Sequence, residues 1–312
     1  MPIVTLTANP AIDLACSADV VRPVHKIRTK IERIDAGGGG INVARVLHAL
    51  GEDVVALVMT GGVTGQLIER ALDDAGVPWR AVHVAGDTRI VMNVREDESG
   101  LEYRFVPPGP DISAEEWRAQ LDELRHIEAD WLVASGCLPP GAPDDYYAQA
   151  ARIVHAHGQS FALDTSGPAL RAALDSNPDL LKLSLSELEY LAGENLPSAA
   201  AQENAVAALL RQGVRMIAVS LGRDGALLAT GGGIDRMGAL RVVVRGAVGA
   251  GDSFMAGLVL GLRRRLPRRK TLALAMAAGC AAVSRFGTAQ VVREEVETLY
   301  RRALANHPIP RQ

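Results

Sequence analysis

Short apolar runs and longer segments with apolar residues at helical spacing take turns along most of the chain. Ile3 to Thr7, Asp53 to Met59, Trp131 to Ser135, Ser160 to Asp164 and Met216 to Ser220 are aliphatic or β-branched runs of strand length. Among them, Thr64 to Ala75, Ala114 to His126, Asp144 to His157 and Ala200 to Gln212 have the period of amphipathic helices. Regular alternation of this kind predicts parallel β-α-β units with right-handed crossovers. Two stretches follow a different rule. Lys26 to Ile34 alternates apolar and charged residues, and so do Arg89 to Arg95 and Leu101 to Val106, joined by a turn at Glu98-Ser99-Gly100. A period of two marks a strand with one wet face, out of place in a central parallel sheet. These strands predict a small separate sheet, formed by excursions at about 14–34 and 88–107, that covers the main body of a single domain spanning 1–312.

Glycine breaks the pattern at two places. Asp35 to Gly51 opens with four consecutive glycines, Gly37 to Gly40, then places Ile41, Ala44, Leu47 and Leu50 at helical spacing. Bare backbone there calls for close approach by a ligand or another chain segment. Near the C-terminus an apolar run, Leu240 to Val244, reads as a strand leading into Val248-Gly249-Ala250-Gly251-Asp252-Ser253, and Phe254 to Leu262 reads as the helix leading out. Amides at a helix start lack intrahelical partners, and the peptide dipoles make that end positive, so a phosphate is stabilised there. Asp252 at such a place is either a helix cap, the commoner use, or a base that takes a proton from a hydroxyl while the neighbouring amides hold developing charge. Asp13, just past the first strand, suits a polar ligand contact or a turn equally well. Thr271 to Ser284 is rich in small residues and predicts a closely packed helix; Arg293 to Ala305 predicts a charged, peripheral one.

Composition narrows the class. Hydrophobic residues make up 48% and charged residues 22% of 312, with a formal net charge of −3. These values predict an ordinary globular protein acting on a small molecule, with no pull toward nucleic acid. Cys16, Cys137 and Cys280 lie far apart without metal-binding spacing and read as reduced thiols. The absence of a leader pattern and of a long apolar span places the expected site of action in the cytoplasm, away from membranes. GxxxxGK[ST] is missing, as is a dinucleotide fingerprint after a strand, which argues against a P-loop enzyme and a nicotinamide dehydrogenase.

Asn9-Pro10-Ala11-Ile12-Asp13, Gly37 to Ala44, Arg104 to Gly109, Ser135 to Gly141, Ser220 to Gly225 and Val248 to Ser253 together carry a resemblance. In this order, essentially end to end, they resemble the ribokinase-type PfkB family of sugar kinases, and within it the 6-phosphofructokinase branch. That resemblance implies a three-layer ribokinase-like α/β domain with a mostly parallel central sheet and a β-sheet lid that forms a homodimer interface. It also implies transfer of a phosphoryl group from ATP, with Mg2+, to the 1-hydroxyl of fructose 6-phosphate. Asp252 matches the family's base, with Gly249, Ala250 and Gly251 its anion hole. Asp13, Gly38, Gly39, Asn42 and Ser135 match sugar-side positions, while Lys26, Arg28, Arg89 and Arg104 fall where sugar-phosphate contacts gather. Lys182, Ser220, Gly222, Gly225 and Gly279 match nucleotide-side positions. Glu187 matches the magnesium residue, though the family's usual Asn-x-x-Glu is here Ser184-Leu185-Ser186-Glu187, and the shorter serine implies weaker magnesium use. Backbone carbonyls around Val248 match the place of a monovalent cation such as K+. Gly39, where relatives acting on fructose 1-phosphate or tagatose 6-phosphate usually carry lysine, favours fructose 6-phosphate. Those two substrates remain alternatives, as does a non-catalytic sugar- or nucleotide-binding regulator on the same fold.

Overall fold

The computed structural model describes residues 1–246, 248–285 and 287–306. The chain opens with β1 (Ile3–Thr7), β2 (Ala11–Ala18), β3 (Lys30–Gly37), α1 (Gly39–Ala49), β4 (Val54–Thr60), α2 (Gly62–Asp74) and β5 (Trp79–His83). It continues through β6 (Arg89–Glu96), β7 (Glu102–Phe105), α3 (Ala114–Glu123), β8 (Trp131–Ser135), α4 (Tyr146–Ala156), β9 (Ser160–Asp164) and α5 (Gly167–Ala173). Next come β10 (Leu180–Ser184), α6 (Leu185–Ala192), α7 (Ala199–Arg211), β11 (Met216–Ser220), β12 (Ala226–Thr230) and β13 (Gly233–Met237). Three helices close it: α8 (Ala250–Arg263), α9 (Arg268–Val283) and α10 (Arg293–Asn306).

Nine strands form the main sheet, in the order β13-β12-β11-β10-β9-β8-β1-β4-β5. From β11 to β5 neighbours run parallel, and β12 and β13 add an antiparallel edge. Both faces are covered, which explains why these strands read as continuous apolar runs. Along β4, Val54, Ala56 and Val58 enter one core with α1, α2, α8, α9 and α10, whereas Leu57 and Met59 enter the other with α3 to α7. The result is the three-layer α/β architecture that the resemblance implied.

The second sheet has the order β3-β2-β6-β7. Asp13 and Ala15 of β2 face the same way as their partners Asp35 and Arg33 of β3, and Leu14 and Cys16 share the opposite face with Ile34 and Ile31. Ile31 and Ile34 are three residues apart, an odd spacing for one face of a strand. Their common orientation comes from a β-bulge, since the register shifts between Ala15 and Cys16 and leaves Glu32 as the additional residue. On the apolar face Ile12, Leu14 and Cys16 stand beside Ile90, Met92 and Val94, followed by Phe105 and Tyr103. Ile12 packs into the main core, but Ile31 is 54% exposed, Ile34 57%, Ile90 44% and Phe105 53%.

Several expected elements differ. Leu240 to Val244 forms no strand; its carbonyls and amides take no place in either sheet, and Val243 and Val244 lie exposed. Asp13 sits within β2 and not in a turn, and Lys26 to Thr29 precede β3 as irregular chain. Edge strands β5 and β13 carry mixed polar sequences that periodicity passes over.

The glycine run lets α1 lie directly on β1. A Cβ built at Gly40 would stand 2.8 Å from the Leu6 carbonyl carbon, with backbone that has no room to yield. Gly40→Ala is therefore expected to destabilise the fold by about 1–3 kcal/mol, read as a lower urea midpoint at unchanged slope.

Candidate active site

The carboxyl ends of β1, β8, β9, β10 and β11 converge on one rim, the usual place for a ligand in an open parallel sheet. α8 begins at the same rim. Its N-cap, Gly249, has φ 79°, and a Cβ there would meet the Ala289 amide nitrogen at 2.5 Å, so only glycine fits. The Gly249, Ala250 and Gly251 amides thus open a helix whose axis dipole favours an anion.

Asp252 lies in the first turn of α8 and is held from two other elements. Asn42 Nδ2, on α1, donates to Asp252 Oδ2 at 2.9 Å, and Ser135 Oγ, at the end of β8, donates to Oδ1 at 3.1 Å. Its side chain makes no helix cap, because neither oxygen turns back to the first-turn amides. Burial raises its pKa above the ordinary carboxylate value, against the pull of Asn42, Lys182, Ser135 and Arg104. A carboxylate so placed is a stronger proton acceptor than a free one while remaining oriented. Asn42 Oδ1, also buried, has no protein partner among the described residues, which leaves an acceptor for a hydroxyl.

Asp13 is buried on the inward face of β2 and accepts a hydrogen bond from Thr288 Oγ1 at 2.9 Å. Burial pushes its pKa up to about 6, while Thr288 and Arg104 pull it down and Asp35 and Asp252 add to the rise. Arg104 opposes the rise at both Asp13 and Asp252, and its Nε is steadied by Asn93 Oδ1 at 3.0 Å. Arg89 joins the lid to the body by donating to the Pro107 and Asn9 carbonyls, at 2.9 Å each, while its buried Nε has no protein partner among the described residues. Gly38 is the N-cap of α1, and Gly39 passes so close to Ser135 that a Cβ would collide with it. Lys26 and Arg28 lie exposed on irregular chain and make no ion pair with Asp13 or Asp252 among the described residues.

On the other side of α8, Lys182 projects from β10 and pairs with Asp164 of β9 at 2.9 Å. A Cβ at Gly251 would be 3.1 Å from Lys182 Nζ, so the ammonium stands beside the helix start. Burial works against its charge, yet Asp164, Glu187 and Asp252 together raise its pKa above the ordinary lysine value. Burial pushes Asp164 up to about 6, while the Lys182 ammonium and its hydrogen bond pull it down. Ser220 ends β11 and its hydroxyl bonds the Leu183 carbonyl at 3.3 Å; Gly222 and Gly225, with φ 58° and 100°, make the tight turn into β12. Gly279 faces the first turn of α8, where a Cβ would lie 3.3 Å from the Ala250 carbonyl oxygen. Ser184 and Glu187 form a capping box on α6, with the Ser184 amide donating to Glu187 Oε2 at 2.7 Å and the Glu187 amide to Ser184 Oγ at 3.3 Å.

The model of the pfkB family of carbohydrate kinases matches residues 6–295. The chain belongs to that family. It is 42% identical over 301 residues to the ATP-dependent 6-phosphofructokinase isozyme 2 of Mycobacterium tuberculosis, covering 96% of this chain and 88% of that one. Phosphofructokinase-2 from Escherichia coli, solved in complex with fructose-6-phosphate, superposes with a TM-score of 0.91 at 31% identity, covering 97% and 99% of the two chains. The same E. coli enzyme solved with potassium superposes at 0.92, with 32% identity over the same shares. Chemically, a carboxylate beside open amides can take a proton from a hydroxyl while the amides hold developing negative charge.

Sequence reasoning took Asp164 only as the end of a strand and passed over Thr288. Asp164 ends a predicted strand, which was a usable signal; Thr288 follows a helix in a loop without periodicity, and only its contacts reveal it.

The Asp13 shift carries a pH dependence. Its folded pKa of about 6 exceeds the ordinary 3.8, so the folded chain keeps a proton between those values that the unfolded chain has released. Stability is greatest below pH 4 for this group and falls as pH rises through 6. Asp13→Asn is expected to be more stable than wild type at pH 7–8, by about 1–3 kcal/mol, with the difference closing at pH 4; urea unfolding at the two pH values measures it.

Proposed function

We propose that this protein phosphorylates fructose 6-phosphate to fructose 1,6-bisphosphate with ATP as donor. The observation that carries the reading is Asp252, fixed between Asn42 and Ser135 at the amide-lined start of α8 and facing Arg104 and Asp13 from the lid. In this reading Asp13, the Asn42 amide and bare backbone at Gly38 and Gly39 bind the sugar hydroxyls. Arg89 and Arg104 hold the sugar phosphate, since guanidinium donors match phosphate oxygens in pairs. Lys26 and Arg28 belong to a surface segment that reaches substrate through lid movement or from a second subunit. Asp252 accepts the proton of the 1-hydroxyl as it attacks, and the Gly249 to Gly251 amides with Lys182 receive the charge of the moving phosphoryl group. Ser220, Gly222, Gly225 and Gly279 border the nucleotide. The M. tuberculosis relative is an ATP-dependent 6-phosphofructokinase and the E. coli phosphofructokinase-2 was solved with fructose-6-phosphate, and both support this substrate.

Magnesium fits the residues present. Glu187 gives one carboxylate oxygen to its helix cap and keeps Oε1 for a metal-bound water, and magnesium characteristically retains several waters. When bound with ATP it would neutralise phosphate charge. Ser184, committed to the cap, offers a hydroxyl where the family's asparagine would offer an amide. A potassium ion near Val248 would use backbone carbonyls, and the E. coli relative was solved in complex with potassium.

The exposed apolar face of the lid supports a homodimer formed through it, because contiguous apolar surface of this kind is costly in water. Sedimentation at micromolar concentration should give a dimer that Ile34→Glu converts to monomer; a monomeric wild type would overturn the assembly. For the reaction, kcat/KM for fructose 6-phosphate should exceed that for fructose 1-phosphate, tagatose 6-phosphate and free sugars by well over tenfold. Asp252→Asn should retain its fold and lose about 10²-fold or more in kcat. Preference for another sugar phosphate would refute the substrate, and an active Asp252→Asn would refute the base.

A further inference from the structure

Thr288 holds three groups at once. Its hydroxyl donates to Asp13 Oδ2 at 2.9 Å, its amide donates to Asp35 Oδ2 at 3.3 Å, and its carbonyl accepts from Arg45 Nη1 at 3.1 Å. Arg45 and Asp35 are themselves joined at 3.1 Å, and Arg33 Nε reaches both Asp35 oxygens at 2.8 Å. The next residue, Ala289, donates its amide to the Val248 carbonyl at 3.3 Å and packs against Gly249. Two consecutive residues therefore connect the inward carboxylate of the lid to the turn that begins α8. Thr288 is 2% exposed and the Asp35 side chain 5%, so this connection is shielded from water and geometrically stiff.

We propose that Thr288 is a positioning residue for phosphoryl transfer, fixing the Asp13 carboxylate in register with the Gly249 to Gly251 amides. This rests on the function proposed above. Binding the sugar through Asp13 then sets its attacking hydroxyl relative to the anion hole, instead of leaving the lid strand and α8 to find their spacing independently. Small errors in such spacing weaken an in-line transfer sharply. The charged groups acting on Asp13 are Arg104 from β7, Asp35 from β3, Arg45 from α1 and Asp252 from α8. The Thr288 hydroxyl favours the ionised carboxylate, so removing it moves the titration of Asp13 to higher pH.

The test compares wild type with Thr288→Val and Thr288→Ser. Valine keeps the shape and all backbone bonds but lacks the donor, and serine keeps the donor. Expected for Thr288→Val are a KM for fructose 6-phosphate raised about tenfold or more, an acid limb of kcat/KM displaced to higher pH, and a KM for ATP within about twofold of wild type, as the nucleotide contacts are untouched. Thr288→Ser should restore all three toward wild type. Titration of 13C-labelled aspartate carboxyls in the sugar-free protein should show Asp13 displaced upward in the valine variant alone. Should the valine variant not fold, Thr288→Ala carries the same readouts. An unchanged Asp13 titration, parallel rises in both KM values, or failure of serine to restore would each overturn the proposal. A wild type inactive on fructose 6-phosphate would refute the substrate reading instead, and the carboxyl titration would still decide the role of Thr288.

Discussion

A carboxylate buried at the positive end of a helix, where the opening amides favour an anion, is the constraint on which the rest of this site depends. Any anion drawn to the start of α8 would be repelled by Asp252, so the carboxylate has to be held by other donors. Asn42 and Ser135 hold Asp252 from α1 and β8, and Lys182 places a positive charge beside Gly251. The parallel sheet makes this possible. Because its strands run the same way, Ser135, Asp164, Lys182 and Ser220 all arrive near one rim from separate β-α-β units.

Burial then tunes the acids without neutralising them. Asp13 and Asp164 are each pushed up to about 6 by loss of water, yet opposing charges and hydrogen bonds keep both below neutrality. A buried Lys182–Asp164 pair contributes little net stability and costs desolvation. Its value is positional: an ammonium at a fixed point beside the start of α8, in a medium where its field is strong. The site is a region where stability is exchanged for preorganised charge.

The lid follows a different economy. Its inward face carries Asp13, Asp35, Arg33 and Arg104, and its outward face is aliphatic and aromatic. The bulge at Glu32 keeps Ile31 and Ile34 on one side despite their spacing, so that a single irregular residue preserves both faces. Glu32 is in turn anchored by Ser17 at 2.9 Å. One sheet thus presents charge inward and apolar surface outward.

Much of the fold was legible in the sequence because burial on both sheet faces and on one helix stripe leaves a periodic record. The five strands read from apolar runs, the separate half-wet sheet and the helix after the glycine run are of this kind. The same record led to a strand at Leu240 to Val244, where the composition was right but the chain joins neither sheet. It also passed over β5 and β13, whose edge positions leave them half polar. Within the site, Asp252, Asn42, Ser135 and Lys182 were marked by motifs, and the chain's own order placed them near strand ends and helix starts. Their partners were not marked. That Asp252 turns away from its helix cap toward Asn42, that Ser184 and Glu187 bond each other, and that Thr288 reaches Asp13 across 275 positions were decided by tertiary packing alone. Local sequence determines backbone period and burial through the next few residues; hydrogen bonds between distant side chains depend on where those periods bring the chain together.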